Sequence, residues 1–204
     1  MPGKSSTKSS QKSSSRAKGL IRGFKTPKDF GDWLEKNNTK SDGLWVRLGK
    51  KGSGLKSITY AEALEVALCH GWIDALKLPE NEKTWLQRFV PRRPKSLWSK
   101  INRDKAVALI ESGRMRAAGH AEIERAKSDG RWEAAYDPPS KATVPPELQK
   151  ALDGNPKARA FFEKLDRINR FAIIWRVQTA TTAETRQSRI KTLVDMLEKG
   201  KTIH

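Results

Sequence analysis

The sequence predicts an α+β fold: a small antiparallel sheet of about three strands with N-terminal helices, followed by a C-terminal all-helical part. Three observations point there. Two arms rich in β-branched and aromatic residues, Trp72 to Leu78 and Thr84 to Val90, flank a polar turn at Pro79-Glu-Asn-Glu82 and read as a hairpin. Two capping boxes, Thr26-Pro-Lys-Asp29 and Thr59-Tyr-Ala-Glu62, mark helix starts before it. From Ser99 onward the apolar residues recur at helical spacing. A chain of 204 residues suits one domain or two small ones and buries roughly 70% of the surface its unfolded form exposes.

In chain order, residues 1 to 22 are Ser- and Lys-rich with almost nothing apolar, so they are expected to form a basic arm without fixed structure. Thr26 then opens a helix with Pro27 at its first position and Phe30, Trp33 and Leu34 on one face. After Asp42-Gly43, Leu44 to Leu48 reads as a strand, and Gly49 to Gly54 as a loop. The second helix turns Leu64, Ala67 and Leu68 inward and stops at Gly71. Five helices are expected beyond the hairpin: Lys100 to Ser112, Ala117 to Asp129, Pro146 to Asp153, one long helix from Pro156 to about Thr179, and Ala183 to Lys199. The long helix is assigned a core stripe of Ala160, Phe161, Leu165, Ile168, Phe171 and Trp175. The organisation that follows is an arm at 1–22, an α+β domain at 23–136, a proline-rich connector at 137–146 and a helical part at 147–204.

Charge narrows the partners. The 41 Lys and Arg against 23 Asp and Glu give a net charge of +18, and eight of the cations precede the first acid, Asp29. Removing those eight leaves +10, so the body is basic in its own right and attracts an anionic ligand, an acidic protein or nucleic acid. No apolar run approaches the roughly 20 residues of a membrane span. No apolar stretch follows the basic start, so no export signal is read, and a cytoplasmic protein is expected, with a nuclear address if the host is eukaryotic. A single cysteine, Cys69, rules out an intrachain disulfide, and with three scattered histidines it provides no metal set and no cofactor motif. Cys69 and His70 are neighbours on a helix and point about 100° apart, so they read as a buried thiol beside a histidine rather than as a nucleophile and its base.

The densest chemistry lies at Trp72 to Asn102. Asp74 stands in an otherwise apolar arm opposite Arg88, where an ion pair fastening the hairpin or a ligand contact are the alternatives. Pro91 and Pro94 bracket Arg92 and Arg93 and hold their forks out for an anion. Trp98 is placed to stack on a ring or anchor the loop, and Ser99 with Asn102 opens the next helix. Asp74, Arg88, Arg92, Arg93, Trp98, Ser99 and Asn102 are therefore the candidate ligand-binding residues, expected to form one patch. No paired carboxylates, triad or phosphate loop accompany them, so no enzyme is expected; a base at Asp74 would be held charged by the arginines around it.

The segments Tyr60-Ala-Glu-Ala-Leu64, Cys69-His-Gly-Trp-Ile-Asp74, Gln87-Arg-Phe-Val-Pro-Arg-Arg-Pro-Lys-Ser96 with Trp98-Ser99 and Asn102, Gly113-Arg-Met115, Asp129-Gly-Arg-Trp-Glu-Ala-Ala-Tyr136 and Asn169-Arg170 resemble the YdeI/OmpD-associated, or bacteriocin-protection, family over about residues 28 to 200. His70 departs from the aromatic and Ala75 from the glycine common in that pattern. The resemblance implies a role in tolerance to bacteriocins or cationic peptides without a defined reaction. A chain of this charge repels such peptides, so any protection is expected to be indirect. The alternative is a nucleic-acid-binding protein that uses the basic arm and the Arg-rich loop on phosphates.

Overall fold

The computed structural model describes residues 17–204 and divides them into two compact units, one running to Lys95 and including Ala106–Glu122, the other made of Ser96–Lys105 and Ile123–His204. The division falls inside two helices rather than at the proline-rich connector. Residues 1–16, most of the expected arm, lie outside the described residues.

In the first unit the strands β1 (Ile21–Gly23), β2 (Leu44–Gly49), β3 (Trp72–Pro79) and β4 (Thr84–Pro91) form one sheet in the order β1-β2-β4-β3, with helices α1 (Pro27–Asn37) and α2 (Tyr60–Cys69). The expected sheet of about three antiparallel strands is thus corrected to a mixed sheet of four. β2, β3 and β4 pair antiparallel, while β1 runs parallel to β2. Two of the three residues of the extra strand, Ile21 and Arg22, fall within the expected arm. The three carry no alternation of their own and are held by the ladder and by Lys18, whose carbonyl accepts from Trp45 Nε1 at 3.2 Å and Arg88 Nη1 at 3.1 Å.

Both capping boxes form as the sequence predicts, with Thr26 and Asp29 closing α1 and Thr59 and Glu62 closing α2. They aim the apolar faces of the helices at the sheet. Phe30 is fully buried, 5.0 Å from the ring of Phe24 and 5.6 Å from that of Phe89, and Trp33 meets Trp72 edge-on at 5.9 Å. Cys69 and His70 are buried at the end of α2; burial raises the thiol pKa and lowers that of the imidazole, so both stay neutral and Cys69 is not an activated nucleophile.

Helices α3 (Lys100–Glu111) and α4 (Ala117–Ser128) carry the boundaries between the units. The remaining four, α5 (Pro146–Asp153), α6 (Pro156–Lys164), α7 (Arg167–Gln178) and α8 (Ala183–Glu198), build the second unit around Leu148, Phe162, Ile173, Ile174, Val177, Leu193 and Leu197. The single long helix expected from Pro156 to Thr179 is two. Leu165 is extended (ψ 144°), and Asp166 caps α7 by accepting from the Asn169 N–H at 2.8 Å. An aspartate that offers its own cap competes with helix continuation. The break resets the helical phase, so the assigned stripe holds only in part: Phe161 and Leu165 pack against the core, but Ala160 is exposed, Ile168 is 71% exposed, and Phe162, Ile173, Ile174 and Val177 are the buried residues.

Candidate functional site

The seven candidate residues divide between the units, Asp74, Arg88, Arg92 and Arg93 in the first and Trp98, Ser99 and Asn102 in the second. Within the first, Asp74 pairs in register with Phe89, and Arg88 with Trp45. Successive side chains of a strand alternate between faces, so Asp74 and Arg88 project to opposite sides of the sheet. The ion pair considered between them does not form. Asp74 accepts from the Tyr60 hydroxyl at 2.8 Å, and burial together with that carboxylate raises the phenol above its ordinary pKa. Arg88 lies 5.7 Å from the Trp45 ring and 3.9 Å from Asp42, whose side chain is 98% exposed. The hairpin is fastened instead by Arg47, which forks onto Glu80 with Nε–Oε2 at 2.8 Å and Nη2–Oε1 at 2.6 Å. Glu80, in the polar turn expected from sequence, is largely covered, and Arg47 with Thr84 holds its pKa down.

Arg92 and Arg93 are not displayed together. Arg92 is 5% exposed, with its backbone N–H donating to the Gly71 carbonyl, while Arg93 is exposed. In the second unit Trp98 is 2% exposed and packs edge-on to Trp132 at 4.9 Å, which makes it an anchor and leaves no ring face for a base. Ser99 Oγ accepts from the Asn102 N–H at 3.2 Å, so this pair serves the start of α3.

The segment Asp129-Gly-Arg-Trp acquires a structural explanation in the same unit. Arg131, 6% exposed, grips Asp129 with Nε–Oδ1 at 2.8 Å and Nη2–Oδ2 at 2.7 Å and donates Nη1 to the Ser96 carbonyl at 2.6 Å. Gly130 has φ +76°, and a Cβ there would stand 3.3 Å from the Thr181 carbonyl oxygen. Ser99 bridges to Tyr136, and Lys100 pairs with Asp137 at 2.9 Å. These bonds tie residues 96–100 to 129–137 and place Leu97 at the rim of a groove.

That groove, of about 660 Å³, is lined by Leu97, by Trp175, Arg176 and Thr179 at the end of α7, by Ser188, Arg189, Thr192, Leu193 and Met196 on α8, and by Thr202 and Ile203. The five α8 residues recur at steps of one and three and so share one helix face. Trp175 is held edge-on to Tyr136 at 6.1 Å. Arg189 Nη1 donates to the Arg176 carbonyl at 2.7 Å and Thr179 Oγ1 at 3.2 Å, closing the α7 C-terminus with a cation that suits its dipole. Beyond Gly200 the chain turns back: the His204 N–H donates to buried Asn169 Oδ1 at 3.1 Å, and this tether lays Thr202 and Ile203 along the groove. Sequence reasoning missed this site. Its one local signal, the spacing from Ser188 to Met196, is that of any amphipathic helix.

Residues 141–200 match the family model described as "Bacteriocin-protection, YdeI or OmpD-Associated". The chain carries a YdeI/OmpD-associated domain. Residues 22–122 match a different model, a domain of unknown function designated DUF8412. The YdeI/OmpD-associated match is therefore narrower than the span from 28 to 200 expected from sequence. Of the segments that carried the resemblance, only Asn169-Arg170 falls inside it, and Asp129 to Tyr136 lies between the two matches. The YdeI/OmpD-associated span contains α5 to α8 and every groove residue from Trp175 to Met196. No curated protein and no solved structure matches the chain. Among the described residues no helix is long and apolar enough to cross a membrane, and no group of His, Cys, Asp and Glu is arranged to hold a metal ion.

Proposed function

We propose that this YdeI/OmpD-associated protein is a non-catalytic binding protein of the cytoplasm whose ligand site is the groove between α7 and α8, and that ligand capture there underlies a tolerance role of the kind the family description names. One observation carries the reading: a groove of about 660 Å³ with an apolar floor of Trp175, Leu193, Met196 and Ile203 lies within the helical domain. Its size falls inside the roughly 300–1,000 Å³ range of small-molecule sites. The polar groups around it are hydroxyls and guanidinium groups, with no carboxylate, imidazole or thiol to act as base or nucleophile, which supports binding rather than catalysis. The test is binding of the neutral fluorophore aminoanthracene. Met196→Trp, which fills the floor without removing a hydrogen bond, is expected to weaken binding at least tenfold, about 1.4 kcal/mol. If the wild type leaves the probe dark, or the variant binds it equally well, the groove is not a ligand site.

A second reading, nucleic-acid binding, is favoured by the net charge of +18. With the face of Trp98 closed by Trp132, contacts would be made to phosphates alone. Affinity for single-stranded DNA should then fall steeply and linearly on a log–log plot against salt, and a chain starting at residue 17 should give a shallower slope. Absence of binding at low salt removes this reading.

A further inference from the structure

The charged residues lining the same groove are of one sign. Both of its cations come from the two facing helices, and no Asp or Glu lines it. Arg176 uses Nη1 on the Ala172 carbonyl at 3.2 Å, and Arg189 uses Nη1 on the Arg176 carbonyl and Thr179. Neither guanidinium forms an ion pair with a carboxylate among the described residues. Other half-buried arginines on α7, α8 and β4 lean on acids or rings: Arg170 on Phe162, Arg186 on Glu147, Arg88 on Trp45. Two partly desolvated guanidinium groups beside an apolar floor form a field that a neutral occupant leaves uncompensated and a single anionic head group satisfies, through charge-assisted bonds about twice as strong as neutral ones.

Resting on the groove as the ligand site, we infer that its ligand is an amphipathic anion: an apolar body on Trp175, Leu193, Met196 and Ile203, and one carboxylate or phosphate head between Arg176 and Arg189. The hydroxyl of Ser188, exposed on α8, stands at the rim as a further donor to that head, while the Thr192 hydroxyl donates to the Ser188 carbonyl at 3.0 Å. A peptide cation is excluded by the same field.

The experiment is calorimetric titration of the full chain with decanoate, decyl phosphate and decanol, which share one apolar body and differ in the head. Both anions are expected to bind at least tenfold more tightly than the alcohol; the tighter of the two identifies the head as carboxylate or phosphate. Arg176→Gln is expected to bring anion affinity down to that of the alcohol while decanol binding stays as it was. Ser188→Glu, a change at an exposed position that introduces a competing carboxylate, should do the same without disturbing the fold, and thermal melts of both variants check that. Decanol binding as tightly as the anions, or anion affinity indifferent to both substitutions, overturns the charge selection and leaves the groove standing as a neutral site. Failure of all three ligands to bind, together with a dark aminoanthracene probe, overturns the groove itself.

Discussion

Replacing Gly119 by alanine is expected to destabilise the protein, against the direction that helix propensity alone dictates. Gly119 lies within α4, where Gly→Ala ordinarily gains about 1 kcal/mol. Here a Cβ would fall on Met115 Sδ and stand 2.5 Å from the Cys69 carbonyl oxygen and 2.8 Å from that of Leu68. The thioether can swing aside. The two carbonyls belong to the last turn of α2 and cannot, because α2 is fixed on the sheet by Leu64, Ala67 and Leu68. Overpacking against immovable atoms costs about 3 kcal/mol, the upper part of its ordinary range, so the net loss is about 2 kcal/mol. For a chain of this size that lowers the melting temperature by roughly 4–8 °C. His120→Ala, next along the helix at an exposed position, should leave it almost unchanged. A Gly119→Ala protein that melts at or above the wild-type temperature would mean that α4 and the end of α2 are not in backbone contact.

Arg131→Met should cost more. The substitution keeps the aliphatic stem but removes the charge-assisted bonds to Asp129 and to the Ser96 carbonyl, close to buried Trp98. Bonds to charged groups contribute about 1.5–3 kcal/mol each; because Asp129 is 45% exposed, its share is discounted and a total of about 3 kcal/mol is expected. Urea denaturation followed by tryptophan fluorescence measures it, since Trp98 and Trp132 report on the same joint. Arg131→Lys should recover less than half of the loss, because an ammonium cannot fork onto Asp129 and reach Ser96 at once. Equal stability of the methionine variant would reduce Asp129-Gly-Arg to a surface turn.

How far the sequence could be read follows from where each determinant lies. The two capping boxes, the hairpin and most helix limits were legible because caps and turns are settled by residues three or four apart, and Thr26, Thr59 and the Pro79 to Glu82 cluster carry their chemistry locally. Asp166 carried the same kind of signal but was submerged in a run of apolar residues that imitates one long stripe. The expected patch of seven residues does not assemble for a different reason. Asp74 and Arg88 are neighbours across a hairpin in the sequence, yet the β-bulge between Asp74 and Lys77 and the register with Phe89 decide which face each one takes.

The sequence by itself determined the mixed composition of helix and strand, the helix starts, the buried thiol of Cys69 and the strong positive charge, all of them properties of single residues or short windows. Tertiary structure alone decided that Ile21–Gly23 becomes a strand, that Gly119 admits no side chain, and that Trp175, Arg176, Arg189 and Ile203 share one groove. The physical reason is that pairing, close backbone approach and cavity lining are relations between segments tens of residues apart. They are formed only when the chain has folded, and no local window contains both partners.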